Sequence, residues 1–231
     1  MKKYKFIALS VILLCIAGLN IYGQKKEISK EEFFDAYKKT SKKAATYRII
    51  GRTETYRNNK LKSIINETSE FVLLDKRRFV SETKMFDINQ TFVFERVLIG
   101  RDEYKRENNG DWIKRISNAP VKMTNSNNGL VEDNEKFYLT ENAKLDNQTA
   151  NLYELTVEYK HTRQNASNET KEIFSYLKDK RWISRDGFLL KMELEDELAG
   201  LPGNWSRRTW TYEYDPNIKI ESPVLENKAK L

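Results

Sequence analysis

The stretch "RWISRDGFLLKMELED", residues 181–196, decides the fold. A strand that opens near Trp182 meets an Asp186-Gly187 turn, after which Phe188, Leu190, Met192 and Leu194 alternate with Leu189, Lys191, Glu193 and Glu195. A period of two with Asp-Gly between the runs is the signature of an antiparallel hairpin with one dry and one wet face. The same alternation recurs on both sides of it. "NLYELTVEYKH" puts Tyr153, Leu155, Val157 and Tyr159 on one face, and "RRTWTYEYDP" sets Trp210, Tyr212 and Tyr214 against Arg207, Thr209, Thr211 and Glu213.

Towards the N-terminus the pattern continues from Tyr47 to Ile116, broken at Asn58-Asn59, at 75–77, at Gly100-Arg101 and at "ENNGD". Connections this short join antiparallel neighbours, since a parallel crossover needs a dozen or more residues. Roughly ten strands are expected. In front of them, "ISKEEFFDAYKKTSKKAATY" carries Ser29 and Glu32 at capping-box spacing, with Phe33, Phe34 and Tyr37 along one side. It predicts a helix from Ser29 to Ala44 whose apolar stripe covers part of the sheet. From Ser117 to Asn134 no period fits, and this reads as a long loop with a helical turn near Leu130. The fold class is therefore mainly β with a minor α component: a strongly curved antiparallel sheet forming a half-open barrel, its concave face covered by the N-terminal helix and the mid-chain loop.

"MKKYKFIALSVILLCIAGLNIYG" has a basic start at Lys2, Lys3 and Lys5 and an apolar run from Phe6 to Leu19, shorter than a spanning helix needs. Residues 1–23 read as a signal peptide, 24–224 as a single domain and 225–231 as a flexible tail. An uncleaved anchor and acylation of Cys15 are the competing readings of the first segment. Cys15 is the only cysteine, so cleavage leaves a chain without disulfides, thiolate metal sites or cysteine nucleophiles. Export then points to a bacterial periplasm, with outer-membrane association at most peripheral. Six Asn-x-Ser/Thr triplets, at Asn66, Asn89, Asn147, Asn165, Asn168 and Asn204, follow from an asparagine-rich composition in that setting.

Lys and Arg number 41 against 34 Asp and Glu, a net charge of +7. Without the three lysines of the first segment, 38 against 34 leaves +4. That balance describes a mixed, solvated surface, and short runs such as 75–78 and 178–181 are turn-flanking charges; no nucleic-acid partner is implied. His161 is the only histidine, so no His/Cys cluster for a metal exists and a Ser-His pair has one histidine to use. Glycines are scattered at turns, with no Gly-x-Ser-x-Gly elbow and no phosphate loop. No catalytic residue, metal ligand or cofactor is assigned. A hydrolase built on paired Asp/Glu residues is the enzymatic alternative, with the run Glu193, Glu195, Asp196 and Glu197 its nearest candidate.

Three segments carry a family resemblance. "VLIGRDEYKRENNGDWIKR" (97–115), "RWISRDGFLLKMELED" (181–196) and "TWTYEYDPNIKIESP" (209–223) resemble, in order and spacing, the hairpins and closing strand of LolA/LolB-like bacterial lipoprotein and lipid carriers, LppX/LprG-like proteins included. The likeness covers 27–224. It implies an incomplete barrel of about eleven strands with its mouth plugged by helices, placed in the periplasm and binding acyl chains of a lipid or an acylated lipoprotein, with no catalytic signature to transfer. A convincing acylated cysteine is lacking.

On that reading the apolar groove is lined by Phe188, Leu190, Met192, Leu194, Tyr153, Leu155, Val157, Tyr159, Trp210 and Tyr212, with Trp205 and Trp112 as rim or partner contacts. Each of these residues serves equally well as ordinary core. If the groove is filled by its own side chains, the chain is an interaction module of the same fold that binds another envelope protein.

Overall fold

The computed structural model describes residues 23–40, 46–72, 75–116, 134–164, 170–197 and 201–225. The expected signal segment, the mid-chain loop 117–133 and the last residues, 226–231, lie outside them.

Twelve strands form one antiparallel sheet. In chain order they are β1 (Lys25–Glu27), β2 (Thr46–Arg57), β3 (Lys60–Val72), β4 (Lys76–Met85), β5 (Gln90–Ile99), β6 (Asp102–Glu107), β7 (Ile113–Ile116), β8 (Asn134–Leu145), β9 (Gln148–Gln164), β10 (Thr170–Ile183), β11 (Leu189–Glu197) and β12 (Trp205–Glu213). Across the sheet they run β1-β8-β9-β10-β11-β12-β2-β3-β4-β5-β6-β7. Two meanders, β2 to β7 and β8 to β12, are thus stitched together by β12 pairing with β2. The strands number two more than the alternation suggests, because short β1 and β7 hold too few residues to show a period. These two are the free edges, and at three and four residues they offer little unpaired backbone to another chain. The sheet is not closed; it is a curved, half-open barrel with, among the described residues, one helix, α1 (Lys30–Thr40), on its inner face.

Turn chemistry sets the registers. Asn58 and Asn59 have φ of 52° and 58°, the left-handed pair of a type I′ two-residue hairpin, and Asn108 and Asn109 take the same conformation, at 48° and 57°, in the longer connection from β6 to β7. The Asp186-Gly187 pair is the tip of a longer connection than the two-residue turn expected. Ser184 N–H donates to the Phe188 carbonyl at 2.8 Å, Gly187 N–H donates to the Ser184 carbonyl, and Gly187 takes φ 81°. A register shift between Trp182 and Ile183 accompanies it.

The α1 N-terminus forms as its sequence requires: Glu32 N–H donates to Ser29 Oγ at 3.1 Å. Glu31 and Glu32 sit in the first turn and Lys38 and Lys39 in the last, each complementing the helix dipole. The described helix ends at Thr40, and 41–44 lie outside the described residues. Phe33, 1% exposed, is its anchor. It packs with Phe137, Leu155 and Val157, with Ile28, Phe34, Tyr153, Tyr159 and Leu177 around them.

A second cluster lies on the outer face. There the C-terminal segment, extended but outside the sheet, places Ile218 and Ile220 against Val97 and Tyr104. The expected closing piece "NIKIESP" is therefore a strap across the back of the sheet and not another strand. Truncating Phe33 to Ala removes the ring that seats the helix and is expected to cost about 3–5 kcal/mol in denaturant unfolding. A loss under about 1 kcal/mol would show that α1 is not held by this contact.

Candidate ligand-binding groove

Directly paired residues of antiparallel strands share a face, so the register maps the inner surface. Beneath α1 it is β8 to β10: Phe137 stands opposite Leu155, Leu139 opposite Tyr153, Val157 opposite Leu177 and Tyr153 opposite Arg181. One ion pair lies within this apolar seat. Arg181 Nε donates to Asp179 at 3.1 Å, and the guanidinium lies 4.7 Å from the Phe33 ring centre and 4.4 Å from that of Tyr37. With side chains 11% and 6% exposed, the pair is neutralised internally and ties the helix to the sheet through cation–π contacts.

The middle of the inner face is β11, β12 and β2. Met192 stands opposite Trp210, Trp210 opposite Gly51, and Gly51 opposite Glu67. Gly51 is buried, and a Cβ there would lie 2.4 Å from Glu67 Cγ. Its bare backbone lets the Glu67 side chain lie across the strand and accept the Trp210 indole N–H at 3.0 Å. Next to it is a tyrosine cluster. Tyr214 donates to the Leu189 carbonyl at 2.7 Å, packs on Phe188 at 4.8 Å and faces Tyr47 at 6.2 Å. Burial pushes the Tyr214 phenol up to about 12, with Tyr47 reinforcing the shift. Burial raises Tyr212 further still, helped by Tyr37, Tyr214 and Tyr47.

The far half, β3 to β5, is different. Phe71, Phe79, Phe94 and Leu98 face inward but are only half-buried, and Phe92 beyond them is 40% exposed. Phe71, Phe79, Phe94 and Leu98, together with Ser69, Arg77, Arg78 and Arg96, line a cavity of about 330 Å³. That is the lower end of the range for small-molecule sites, enough for one slender apolar group. Among the described residues no helix covers it.

The residues expected from the sequence are thus distributed over three regions. Tyr153, Leu155, Val157 and Tyr159 pack under or around α1 and are core. Met192, Leu194, Trp210 and Tyr212 share the inner face in its middle strip. Phe188 packs against Tyr214 at the end of that strip, the two rings tilted by 55°. Leu190 is diverted by the register shift in β10 and packs with Leu145, Ala150 and Trp182 on the outer face. Trp205 lies on the outer face, stacked on Tyr56 with ring centres 3.8 Å apart. Trp112 packs against the outer Val97–Tyr104 cluster beneath Arg106. The β3–β5 residues are not among those expected from the sequence, although "TFVFERVLI" carries a signal: Arg96 interrupts the alternation of Phe92, Phe94 and Leu98.

The outer face is a charge lattice. Glu213, Arg48, Glu70, Arg78, Glu95 and Arg106 form a chain of ion pairs from β12 to β6, with Glu70 and Glu95 buried. A shallow recess among Lys178, Lys180, Glu193, Glu195 and Arg207 belongs to the same polar surface. Among the described residues no cluster of three or more His, Cys, Asp or Glu is placed to hold a metal, and no helix is long and apolar enough to cross a membrane. The side chain of His161 lies outside the described set.

No family model matches the sequence, and no curated protein matches it. Solved structures similar in shape include the following two. LprF from Mycobacterium bovis aligns over 86% of this chain and 99% of its own, at 10% identity and a TM-score of 0.42. A LolA superfamily protein from Nitrosomonas europaea aligns over 81% and 94%, at 10% identity and a TM-score of 0.32. At these TM-scores the functional reading rests on this chain's own geometry.

The tyrosine cluster has a consequence for pH. A phenol whose pKa is raised in the folded state contributes stability that is present below its unfolded value of 10 and is lost as pH climbs towards the folded value of about 12. The unfolding midpoint in denaturant is therefore expected to fall steadily over that window, and Tyr214→Phe to flatten part of the slope. A midpoint unchanged between those two pH values would contradict burial of the cluster.

Proposed function

We propose that this chain is an exported, non-enzymatic bacterial envelope protein that holds an acyl chain of a lipid or lipoprotein in the β3–β5 groove, as a carrier or sensor. The observation that carries the reading is the division of the inner face. One half is sealed by α1 on Phe33 and Val157, while the other leaves Phe71, Phe79, Phe94 and Leu98 half-buried around a cavity. Each buried methylene contributes about 0.8 kcal/mol, so some ten methylenes contribute roughly 8 kcal/mol before ordering costs. That sets a dissociation constant of about a micromolar as the tightest the acyl chain alone can give, and ordering costs weaken it, which suits a carrier that must release its cargo. The opposite face, covered in ion pairs, would stay in water in a periplasm, touching the membrane peripherally if at all.

Met192, Leu194, Trp210 and Tyr212 border the groove on this reading and make secondary contacts. The signal segment supplies the export route, and no cofactor takes part. The competing reading, an interaction module for another envelope protein, draws on the half of the inner face that is already filled by its own side chains.

Native mass spectrometry of protein purified from cells, followed by lipid extraction, separates the two. An acyl species that stays bound and is recovered on extraction is expected. Bare polypeptide mass, together with failure to bind a fluorescent fatty acid, would contradict the carrier reading and favour a protein partner recovered stoichiometrically from an envelope extract.

A further inference from the structure

The groove holds two guanidinium groups at inward positions where the alternation calls for apolar side chains. Arg96 is neutralised, since its Nε lies 2.6 Å from the Glu103 carboxylate. Arg77 is not. It stands opposite Phe71 on β3 and Leu98 on β5, its guanidinium 5.5 Å from the Phe71 ring centre. That ring in turn stacks on Tyr47 at 4.6 Å. Among the described residues Arg77 makes this cation–π contact and no ion pair. The other arginines within β2, β4 and β5, apart from Arg57 at the exposed end of β2, each have a carboxylate within 4.0 Å: Arg48, Arg52, Arg78 and Arg96. The nearby inner-face acids are engaged elsewhere, Glu103 with Arg96 and Glu67 with the Trp210 indole.

A cation kept unpaired beside an apolar cavity is disfavoured unless something anionic meets it there. Tyr47 lies within reach of the same charge, which opposes the burial that raises its phenol. We propose that the groove selects an amphiphile with an anionic head, a carboxylate or a phosphate, and that Arg77 binds that head while Phe79, Phe94 and Phe92 receive the chain. The proposal rests on the acyl-binding reading and deepens it. A planar guanidinium matches either anion with two parallel hydrogen bonds, whereas a neutral ester or alcohol head accepts fewer and carries no charge. Arg78 also lines the cavity, but its guanidinium lies 3.8 Å from both Glu70 and Glu95 in the outer lattice, so among the described residues Arg77 is the lining arginine without an ion pair.

The test is isothermal titration of the delipidated protein with three probes of one chain length: a fatty acid, a lysophosphatidic acid and a neutral monoacylglycerol. At least one anionic probe is expected to bind about tenfold or more tightly than the neutral one, and whichever anion binds best names the head group. Arg77→Gln is expected to bring the anions down to the level of the monoacylglycerol and to leave the monoacylglycerol unchanged. Arg77→Lys is expected to keep part of the preference, and a thermal melt of each variant controls for folding. Equal binding of all three probes, or an equal loss for all three in Arg77→Gln, would overturn the head-group assignment and leave acyl binding standing. Failure of every probe to bind would remove both.

Discussion

The structure turns on a mismatch between one wide apolar face and one short cover. Strands lie about 4.8 Å apart, so twelve of them make an arc of roughly 50–60 Å. An eleven-residue helix is only about 16 Å long and can shield three or four strands at most. Phe33 fixes it over β8, β9 and β10, where Phe137, Leu155 and Val157 become fully buried. Among the described residues no other helix shields the inner face, and what remains of it is half-wet. The half-buried phenylalanines of β3 to β5 are the part of the sheet that this constraint leaves over.

The outer face explains why such a sheet holds its register. A slip by one residue would move every apolar side chain outward. It would also break the ladder that runs from Glu213 through Arg48, Glu70, Arg78 and Glu95 to Arg106, where opposite charges meet strand after strand. Each exposed pair contributes little, but Glu70 and Glu95 are buried, and a misaligned register would leave them unpaired at several kcal/mol apiece. The strap carrying Ile218 and Ile220 adds an apolar patch against Val97 and Tyr104, so the back of β5 and β6 is packed as well as charged. Rigidity on this side lets the inner face stay incompletely filled.

Much of the fold could be read from local chemistry. Asn58-Asn59 and Asn108-Asn109 mark hairpins because asparagine tolerates the left-handed conformation both pairs adopt, and Ser29 with Glu32 marks the helix start. What escaped depended on long-range pairing. Nothing local says that β12 joins β2, and nothing in "GFLLKMELED" announces the register shift that sends Leu190 to the other face while Met192 stays inside. The cover is not local either: Leu155 and Phe94 lie on equally apolar strands, and only the landing place of α1 buries the first and leaves the second half-buried. Trp112 and Trp205, expected as rim or partner contacts, pack on the outer surface against the Val97–Tyr104 cluster and Tyr56, a placement set by long-range pairing.

The most direct test of the divided inner face is photo-crosslinking with a fatty acid that carries a photoreactive group near the end of its chain, followed by peptide mapping. Adducts are expected on Phe79, Phe94 and their neighbours in β3 to β5. Adducts concentrated instead under α1, at Phe137, Leu155 or Val157, or on the charged outer face, would contradict the account.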